Sequence, residues 1–146
     1  MTEVKTHSTE ETVALGREWG TVAGLGMVFA LDGDLGAGKT QLARGIAQGC
    51  GYQGRVQSPS FGLINVYEGG GHVVHHLDLY RLETTDEIRG AGLEEYLNGE
   101  TGVTIVEWAS RWYGGDREMP RGLLRRVQLL SLNETDRVIS YEDLGH

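Results

Sequence analysis

The chain has 146 residues and a formal net charge of −8, a length that fits one domain, which we expect to span residues 1–146. The acidic balance argues against a protein that binds nucleic acid by itself, because neutralising phosphates requires a surplus of Lys and Arg on one face. Cys50 is the single cysteine, which excludes an internal disulfide and a cysteine-rich zinc site and favours a small buried residue.

The N-terminal region predicts a short edge strand over residues 4–7 and then a helix. Residues 1–7 lack the apolar segment of a signal peptide, and no apolar run approaches the roughly 18 residues of a membrane span, so a cytoplasmic location is expected. Residues 8–11 form an S-x-x-E capping box that starts the helix. Four residues then recur on one helical face that we expect to pack on the core: Thr12, Leu15, Trp19 and Val22.

The next feature is an apolar strand, residues 27–31, followed directly by a glycine-rich motif. The run Gly33-Asp34-Leu35-Gly36-Ala37-Gly38-Lys39-Thr40 has the form G-x-x-x-x-G-K-[ST], which is the Walker A phosphate loop. Its glycines let backbone N–H groups surround phosphates, and the helix expected over residues 41–48 directs its positive end at them. We expect Lys39 to contact the β- and γ-phosphates and Thr40 to offer its hydroxyl to Mg²⁺.

Chance is a poor explanation of this motif, although the chain holds 23 glycines. With average residue usage, its four fixed positions would match in a chain of this length about once in 200 tries. The chain has two lysines, Lys5 and Lys39, and one of them stands where the motif requires lysine. A glycine-rich turn that binds nothing is therefore the weaker interpretation.

A loop with two close hydroxyls follows the Walker A helix, whose residues 43, 46, 47 and 50 share a face suited to packing on a sheet. In Gln57-Ser58-Pro59-Ser60, Pro59 biases Ser58 towards an extended conformation. We interpret the segment as a switch loop whose hydroxyls approach the γ-phosphate or Mg²⁺. A plain turn is the alternative.

Residues 61–68 and 72–80 are two β-rich runs joined by three glycines, which predicts an antiparallel hairpin and hence a mixed sheet. Alternation places His76, Asp78 and Tyr80 on one face of the second strand, with His75 on the other. A zinc site built from these histidines and Asp78 is therefore disfavoured. We expect Asp78 to be a partner of magnesium or of a water molecule.

A second buried strand, residues 102–108, ends in the carboxylate of Glu107, which is typical of a Walker B element. Trp108 can stack in the site, close its mouth or belong to the core. Two short helices, beginning at residues 84 and 93, precede this strand. Residues 109–121 are interpreted as a polar connection, and residues 124–132 and 137–141 as a final hairpin turned at residues 133–136.

These elements predict an α/β fold: a single-domain P-loop NTPase with a mixed, partly parallel central sheet flanked by helices. The chain also resembles the bacterial TsaE (formerly YjeE) family. The resemblance lies in the Walker A run, Arg44-Gly45, Ser58-Pro59-Ser60, His76-Leu77-Asp78-Leu79-Tyr80-Arg81-Leu82 and Val106-Glu107-Trp108. Gln41, Ser60 and Ala109 depart from the residues usual in that family, and the departure at Gln41 leaves its role open.

The resemblance implies an ATPase, with ATP or ADP and Mg²⁺, that assists a complex attaching a threonylcarbamoyl group to the adenosine next to the anticodon of tRNAs. It implies partners of the TsaD and TsaB type, with tRNA met only indirectly and no membrane. We assign Lys39, Asp78 and Glu107 to catalysis, and Thr40, Glu107 and Asp78 to Mg²⁺. The expected nucleotide contacts are Thr9, Asp34, Gly36, Ala37, Gly38, Lys39, Thr40, Gln41, Ser60 and Trp108.

Other functions remain open at this point. A GTPase would need an N-K-x-D tetrapeptide, which neither lysine provides. A small-molecule or nucleoside kinase could use the same loop with closing arginines, for which Arg117, Arg121, Arg125 and Arg126 are candidates. A nucleotide-gated binding module is a third class. Because Lys39 is the only lysine near the phosphates, we expect the isolated chain to be a poor ATPase, with Arg81 as the candidate for further charge neutralisation.

Overall fold

The chain folds into strands and helices in a computed structural model that describes residues 1–34, 36–59, 63–99, 102–113, 120 and 122–145. The strands are β1 (Thr2–Thr6), β2 (Val28–Gly33), β3 (Ile64–Tyr67), β4 (Val74–Asp78), β5 (Val103–Glu107), β6 (Leu124–Ser131) and β7 (Arg137–Leu144). The helices are α1 (Thr9–Val22), α2 (Lys39–Gly49), α3 (Thr85–Gly90), α4 (Glu94–Leu97) and α5 (Ser110–Tyr113). Within these residues, none of the helices has the length and apolar character needed to cross a membrane.

One mixed sheet joins the strands in the order β1-β7-β6-β2-β5-β4-β3. Strand β2 lies at its centre and runs parallel to β5 and β6, while β4 runs parallel to β5. The edges are antiparallel, with β1 on β7 and β3 on β4. The predicted mixed, partly parallel sheet is therefore confirmed, as are the edge strand at the N-terminus and the hairpin of β3 and β4.

The sheet is covered on both faces. Phe29 and Leu31 of β2 point to the face packed by α1 and α2, and Val28 and Ala30 point to the opposite face, which is covered by Ile88, Leu97, Trp112 and their neighbours. A strand buried on both faces reads as a continuous apolar run, which is why residues 27–31 show no alternation. This double covering holds β2, and with it the segment that follows, at the centre of the molecule.

Helices α1 and α2 touch backbone to backbone through glycines spaced four residues apart. A Cβ atom at Gly20 would lie 2.1 Å from the carbonyl oxygen of Ile46, and one at Gly45 would lie 2.1 Å from that of Val13. A Cβ atom at Gly16 would lie 2.5 Å from the carbonyl oxygen of Leu42, and one at Gly49 would lie 2.3 Å from that of Arg17. No side chain fits at these positions, so the glycines set how closely the two helices approach.

The capping box is confirmed, whereas part of the predicted buried face of α1 is wrong. Ser8 Oγ accepts a hydrogen bond from the backbone N–H of Glu11 at 3.1 Å, and Glu11 Oε1 accepts one from the N–H of His7 at 2.9 Å. Val22 is 78% exposed. The buried stripe of α1 runs through Val13 and the glycines that meet α2, so it leaves the last residue of the helix outside the contact.

Residues 109–113 are not the polar connection that the sequence predicted. They include α5, and Ala109, Trp112 and Tyr113 are buried in the core on the face opposite α2. A helix of four residues is too short to show helical periodicity, so its two aromatic residues gave no signal. Arg117 and Arg121 lie outside the described residues.

Candidate functional site

The Walker A segment forms a left-handed turn between β2 and α2. Gly36 and Gly38 have φ angles of 79° and 100°, which L side chains adopt only with strain, and Gly38 is the N-cap of α2. Leu35 lies outside the described residues. The glycines thus turn the chain sharply at the start of a helix that leads away from the central strand.

Lys39 is held against the loop that carries it. Its Nζ atom donates to the carbonyl oxygens of Gly33 at 2.5 Å and Asp34 at 2.8 Å. Burial lowers the pKa of Lys39, and the carboxylates of Glu107 and Asp78 act in the opposite direction. The ammonium group therefore lies beside the loop, in a position that nearby acids favour electrostatically.

Two carboxylates meet near the loop because their strands are adjacent and in register. Asp78 ends β4 and Glu107 ends β5, and the two residues are paired across the parallel ladder. Both side chains are buried. The hydroxyl of Thr40 donates to Glu107, with distances of 3.2 Å to Oε2 and 3.3 Å to Oε1. The Walker A helix therefore brings a hydroxyl, and the neighbouring strand a carboxylate, to the same place beside the loop.

Asp78 is fixed by two donors. The backbone N–H of Tyr80 donates to its Oδ1 at 2.9 Å, and the hydroxyl of Ser58 donates to its Oδ2 at 3.2 Å. Burial raises the pKa of Asp78, although both hydrogen bonds lower it. The predicted switch loop therefore reaches the site through Ser58, while Ser60 lies outside the described residues.

These groups line one cavity of about 490 Å³. Most of the residues assigned from the sequence are present. Ser58 and Arg81, which the sequence also indicated, join them, as do Tyr80 and Arg137, which were not assigned. The lining consists of Thr9, Gly36, Gly38, Lys39, Thr40, Gln41, Ser58, Asp78, Tyr80, Arg81, Glu107, Trp108 and Arg137. Among the assigned residues that the structure describes, two are absent from this lining: Asp34 is exposed and borders a neighbouring cavity, and Ala37 is buried in the core.

Trp108 lies between the core and the cavity. Its ring packs partly against the core, and it also lines the cavity beside Tyr80, with 5.1 Å between the ring centres. Its φ angle of 59° is unusual for a residue with a side chain. Arg111 of α5 donates to the carbonyl oxygens of Tyr80 at 2.7 Å and Leu82 at 3.0 Å, which supports the wall of the cavity from outside.

Sequence reasoning missed Arg137, the first residue of β7. Its Nε atom donates to the carbonyl oxygen of Ala37 at 3.1 Å, and its Nη2 atom donates to that of Gly36 at 3.3 Å. No motif surrounds Arg137. Only the placement of β7 beside β6, and of β6 beside β2, brings this side chain to the Walker A segment.

The lining fits a nucleotide with Mg²⁺. Thr40, Ser58, Asp78 and Glu107 offer hydroxyl and carboxylate oxygens, which are the donors that Mg²⁺ prefers. Gln41 also lines the cavity, and its buried Oε1 atom has no hydrogen-bond partner among the described residues.

Of the arginines proposed for a kinase, the two that the structure describes lie away from the cavity. Arg125 pairs with Asp143, its Nε atom 2.7 Å from Oδ1, and its guanidinium lies over the ring of Tyr141. Arg126 donates to the carbonyl oxygen of Tyr113 at 3.2 Å. Neither side chain lines the cavity, so the kinase alternative is not favoured.

A central parallel strand, a Walker A turn, its helix and a carboxylate on the adjacent strand define the chain as a P-loop NTPase in fold. The family model described as "Threonylcarbamoyl adenosine biosynthesis protein TsaE" matches residues 6–139. The chain belongs to the TsaE family.

Relatives and a solved structure agree with this assignment. The chain is 37% identical over 142 residues to the tRNA threonylcarbamoyladenosine biosynthesis protein TsaE of Bacillus subtilis, covering 97% of this chain and 85% of that protein. It is 43% identical over 88 residues to the protein of the same name from Haemophilus influenzae, covering 60% of this chain and 54% of that relative, about half its length. The crystal structure of YdiB from Bacillus subtilis aligns with a TM-score of 0.72 at 32% identity, covering 96% of this chain and 83% of YdiB.

Proposed function

We propose that this chain is a Mg²⁺-dependent ATPase that supports the complex attaching a threonylcarbamoyl group to the adenosine next to the anticodon of tRNAs. One observation carries the proposal: Lys39, Thr40, Asp78 and Glu107 converge on one cavity. The relatives named for tRNA threonylcarbamoyladenosine biosynthesis supply the biological context.

The proposed roles follow from the contacts. Lys39 neutralises charge on the β- and γ-phosphates, and its partners, two main-chain carbonyls, can release it without leaving a buried charge unpaired. Thr40 and Glu107 would hold Mg²⁺, with Asp78 as a second partner or as the group that orients water. When bound, Mg²⁺ supplies positive charge that compensates the phosphates. Gly36, Gly38, Gln41, Thr9 and Trp108 bound the space that the nucleotide occupies.

We also propose the partners of the chain and where it acts. The partners are proteins of the TsaD and TsaB type, and residues 1–146 act as one domain in the cytoplasm. The net charge of −8 supports indirect contact with tRNA through those partners, because an acidic surface repels phosphates.

A pull-down with purified TsaD- and TsaB-type proteins, with and without ATP, tests the proposal together with ATP hydrolysis by the mixture. We expect association that depends on ATP, and hydrolysis that requires Mg²⁺. Equal association in both conditions, combined with no hydrolysis, would rule the proposal out.

A further inference from the structure

A buried histidine stands directly behind Glu107. The side chain of His76 is fully buried, and its Nε2 atom lies 2.6 Å from Glu107 Oε2. On the other side of the ring, Nδ1 lies 2.9 Å from the hydroxyl of Tyr67. The same hydroxyl lies 3.1 Å from the carbonyl oxygen of Gln57, next to Ser58. A chain of contacts thus joins Glu107 to the loop that reaches Asp78.

The proton positions in this chain follow from the chemistry of each group. An ionised Glu107 only accepts hydrogen bonds, so the Nε2 atom of His76 carries the proton and donates it. The hydroxyl of Tyr67 donates its proton to the carbonyl oxygen of Gln57, and the same hydroxyl lies beside Nδ1. Tyr67 thus joins the ring to the loop.

We propose that His76 is a positioning residue that fixes the carboxylate of Glu107 for Mg²⁺, and that Tyr67 fixes the ring of His76. The terminal torsion of a glutamate is broad, so a carboxylate without a partner rotates freely. The hydrogen bond at Oε2 removes this freedom and keeps the carboxylate beside the hydroxyl of Thr40. This inference rests on the proposed function, since it assumes that Glu107 faces Mg²⁺.

Two substitutions of His76 separate the loss of its hydrogen bond to Glu107 from the loss of the imidazole ring. His76→Gln keeps an N–H group at about the position of Nε2 and can still donate to Glu107. His76→Asn is shorter and cannot reach Glu107, although it can still meet Tyr67. His75→Asn is the matched control, because His75 is the neighbouring residue on the opposite face of β4 and contacts Tyr96 instead.

The measurement is the affinity for ADP by calorimetry, with Mg²⁺ and with EDTA. We expect His76→Asn to weaken binding about 10–100-fold in Mg²⁺ and to leave binding in EDTA unchanged, as is typical when the partner of a metal ligand is lost. His76→Gln and His75→Asn should keep the full effect of Mg²⁺. If His76→Asn keeps it as well, the inference is wrong. A wild-type chain that binds no ADP in either condition would instead defeat the proposed function.

A measurement on the wild-type chain covers the case in which His76→Asn does not fold. The ¹⁵N resonances of the histidine rings should show His76 protonated at Nε2. Adding Mg²⁺ to the ADP-bound chain should shift the His76 resonances and leave those of His75 in place. Resonances of His76 that do not respond to Mg²⁺ would overturn the inference.

Discussion

The Nζ atom of Lys39 lies 4.4 Å from the centre of the Trp108 ring, so the Walker A lysine is in direct contact with the residue after Glu107. A cation over an aromatic face gains about 0.5–2 kcal/mol, depending on how far it is desolvated. A bound phosphate competes for the same ammonium group. A phosphate that binds Lys39 therefore also changes the surroundings of the Trp108 ring.

Replacing Lys39 by alanine tests the role of this cation. We expect Lys39→Ala to weaken ATP binding by about 10–100-fold, since a hydrogen bond to a charged group contributes about 1.5–3 kcal/mol. The thermal midpoint without nucleotide should change little, because the lysine contacts carbonyls and a ring at the edge of the cavity. Calorimetry and thermal unfolding measure both effects. Lys5→Ala, at an exposed position, is the control, and normal hydrolysis by Lys39→Ala in the assembled complex would contradict the phosphate-loop assignment.

The two carboxylates should differ in their relation to Mg²⁺. We expect Glu107→Gln to abolish the dependence of ATP binding on Mg²⁺, because Glu107 shares its position with the hydroxyl of Thr40. Asp78→Asn should reduce hydrolysis more than binding, because Asp78 faces Ser58 and Tyr80 instead. Titrations with Mg²⁺ and single-turnover hydrolysis compare the variants. The opposite pattern, with Mg²⁺ dependence lost only in Asp78→Asn, would exchange the two assignments.

Local patterns in the sequence were enough to predict the centre of the sheet. Residues 27–31 are a continuous apolar run and residues 103–106 are apolar except for Thr104, as is typical of central parallel strands, and both segments lead into acidic residues at the same edge. The alternation in β4 placed His76 and Asp78 on one face, and the structure confirms it. These predictions depend only on residues that are close in sequence, for which the geometry of a strand fixes the direction of each side chain.

Contacts between distant residues could not be predicted in this way. The sequence indicated a final hairpin but not that β6 lies beside β2, because pairing partners depend on the packing of the whole sheet. Arg137 and the hydrogen bond from His76 to Glu107 were missed for the same reason. The Val22 prediction failed because periodicity says which face is apolar, not where the partner helix ends.

Replacing Arg81 by alanine tests whether the chain supplies its own arginine for phosphoryl transfer. Arg81 lines the cavity, and an arginine that stabilises the transferring phosphoryl group contributes about 10³–10⁵-fold to the rate. If it is catalytic, Arg81→Ala should lower hydrolysis at saturating partner proteins. If it is a docking residue, the variant should only weaken the complex. Steady-state hydrolysis and affinity, measured together, distinguish the two roles.

We also expect the free chain to hydrolyse ATP slowly compared with the complete complex. Lys39 is the only lysine in the lining of the cavity, and Arg137 already contacts the Walker A carbonyls. Hydrolysis assays of the free chain and of the mixture test this directly. Equal rates would show that every necessary group is already in these 146 residues.

Stability without nucleotide or metal should depend on pH through Asp78. Burial raises its pKa, so the folded chain binds a proton more tightly than the unfolded chain does. Its contribution to stability is therefore lost as the pH rises from about 3.9, the ordinary value, through the raised pKa. Asp78→Asn should accordingly be more stable than wild type at neutral pH, with a difference that shrinks in acid. Thermal unfolding in EDTA across this range measures it.

Asp143 is a control, because its pKa is shifted in the opposite direction and its effect on stability therefore has the opposite pH dependence. Hydrogen bonds from Arg125 lower its pKa, so its stabilisation is present above the ordinary carboxyl value and is lost as the pH falls through the lowered pKa. Asp143→Asn should be less stable than wild type at neutral pH and equal to it in strong acid. If both variants changed stability in the same direction, the attribution of the two shifts to burial and to Arg125 would be wrong.

The contact between α1 and α2 predicts that Gly20→Ala destabilises the fold. The added Cβ atom meets the backbone at Ile46, and overpacking of this kind costs about 1–3 kcal/mol, which exceeds the gain in helix propensity of about 1 kcal/mol. Gly90→Ala in α3 has open space at its Cβ position and should be neutral or slightly stabilising. Urea unfolding of both variants gives the comparison, and equal midpoints would show that the helices can separate without cost.

The hydrogen bonds from Arg137 to the Walker A segment also bear on how the protein is made. Arg137 is 100 residues downstream of Ala37, whose carbonyl oxygen it contacts. On the ribosome, Gly36 and Ala37 therefore emerge long before the side chain that holds them, and synthesis of the intervening segment takes about 5–20 s at 5–20 residues per second. During that interval the nascent chain exposes a glycine-rich loop without its last support. Nucleotide binding by ribosome-bound chains should accordingly begin only after β7 has left the exit tunnel.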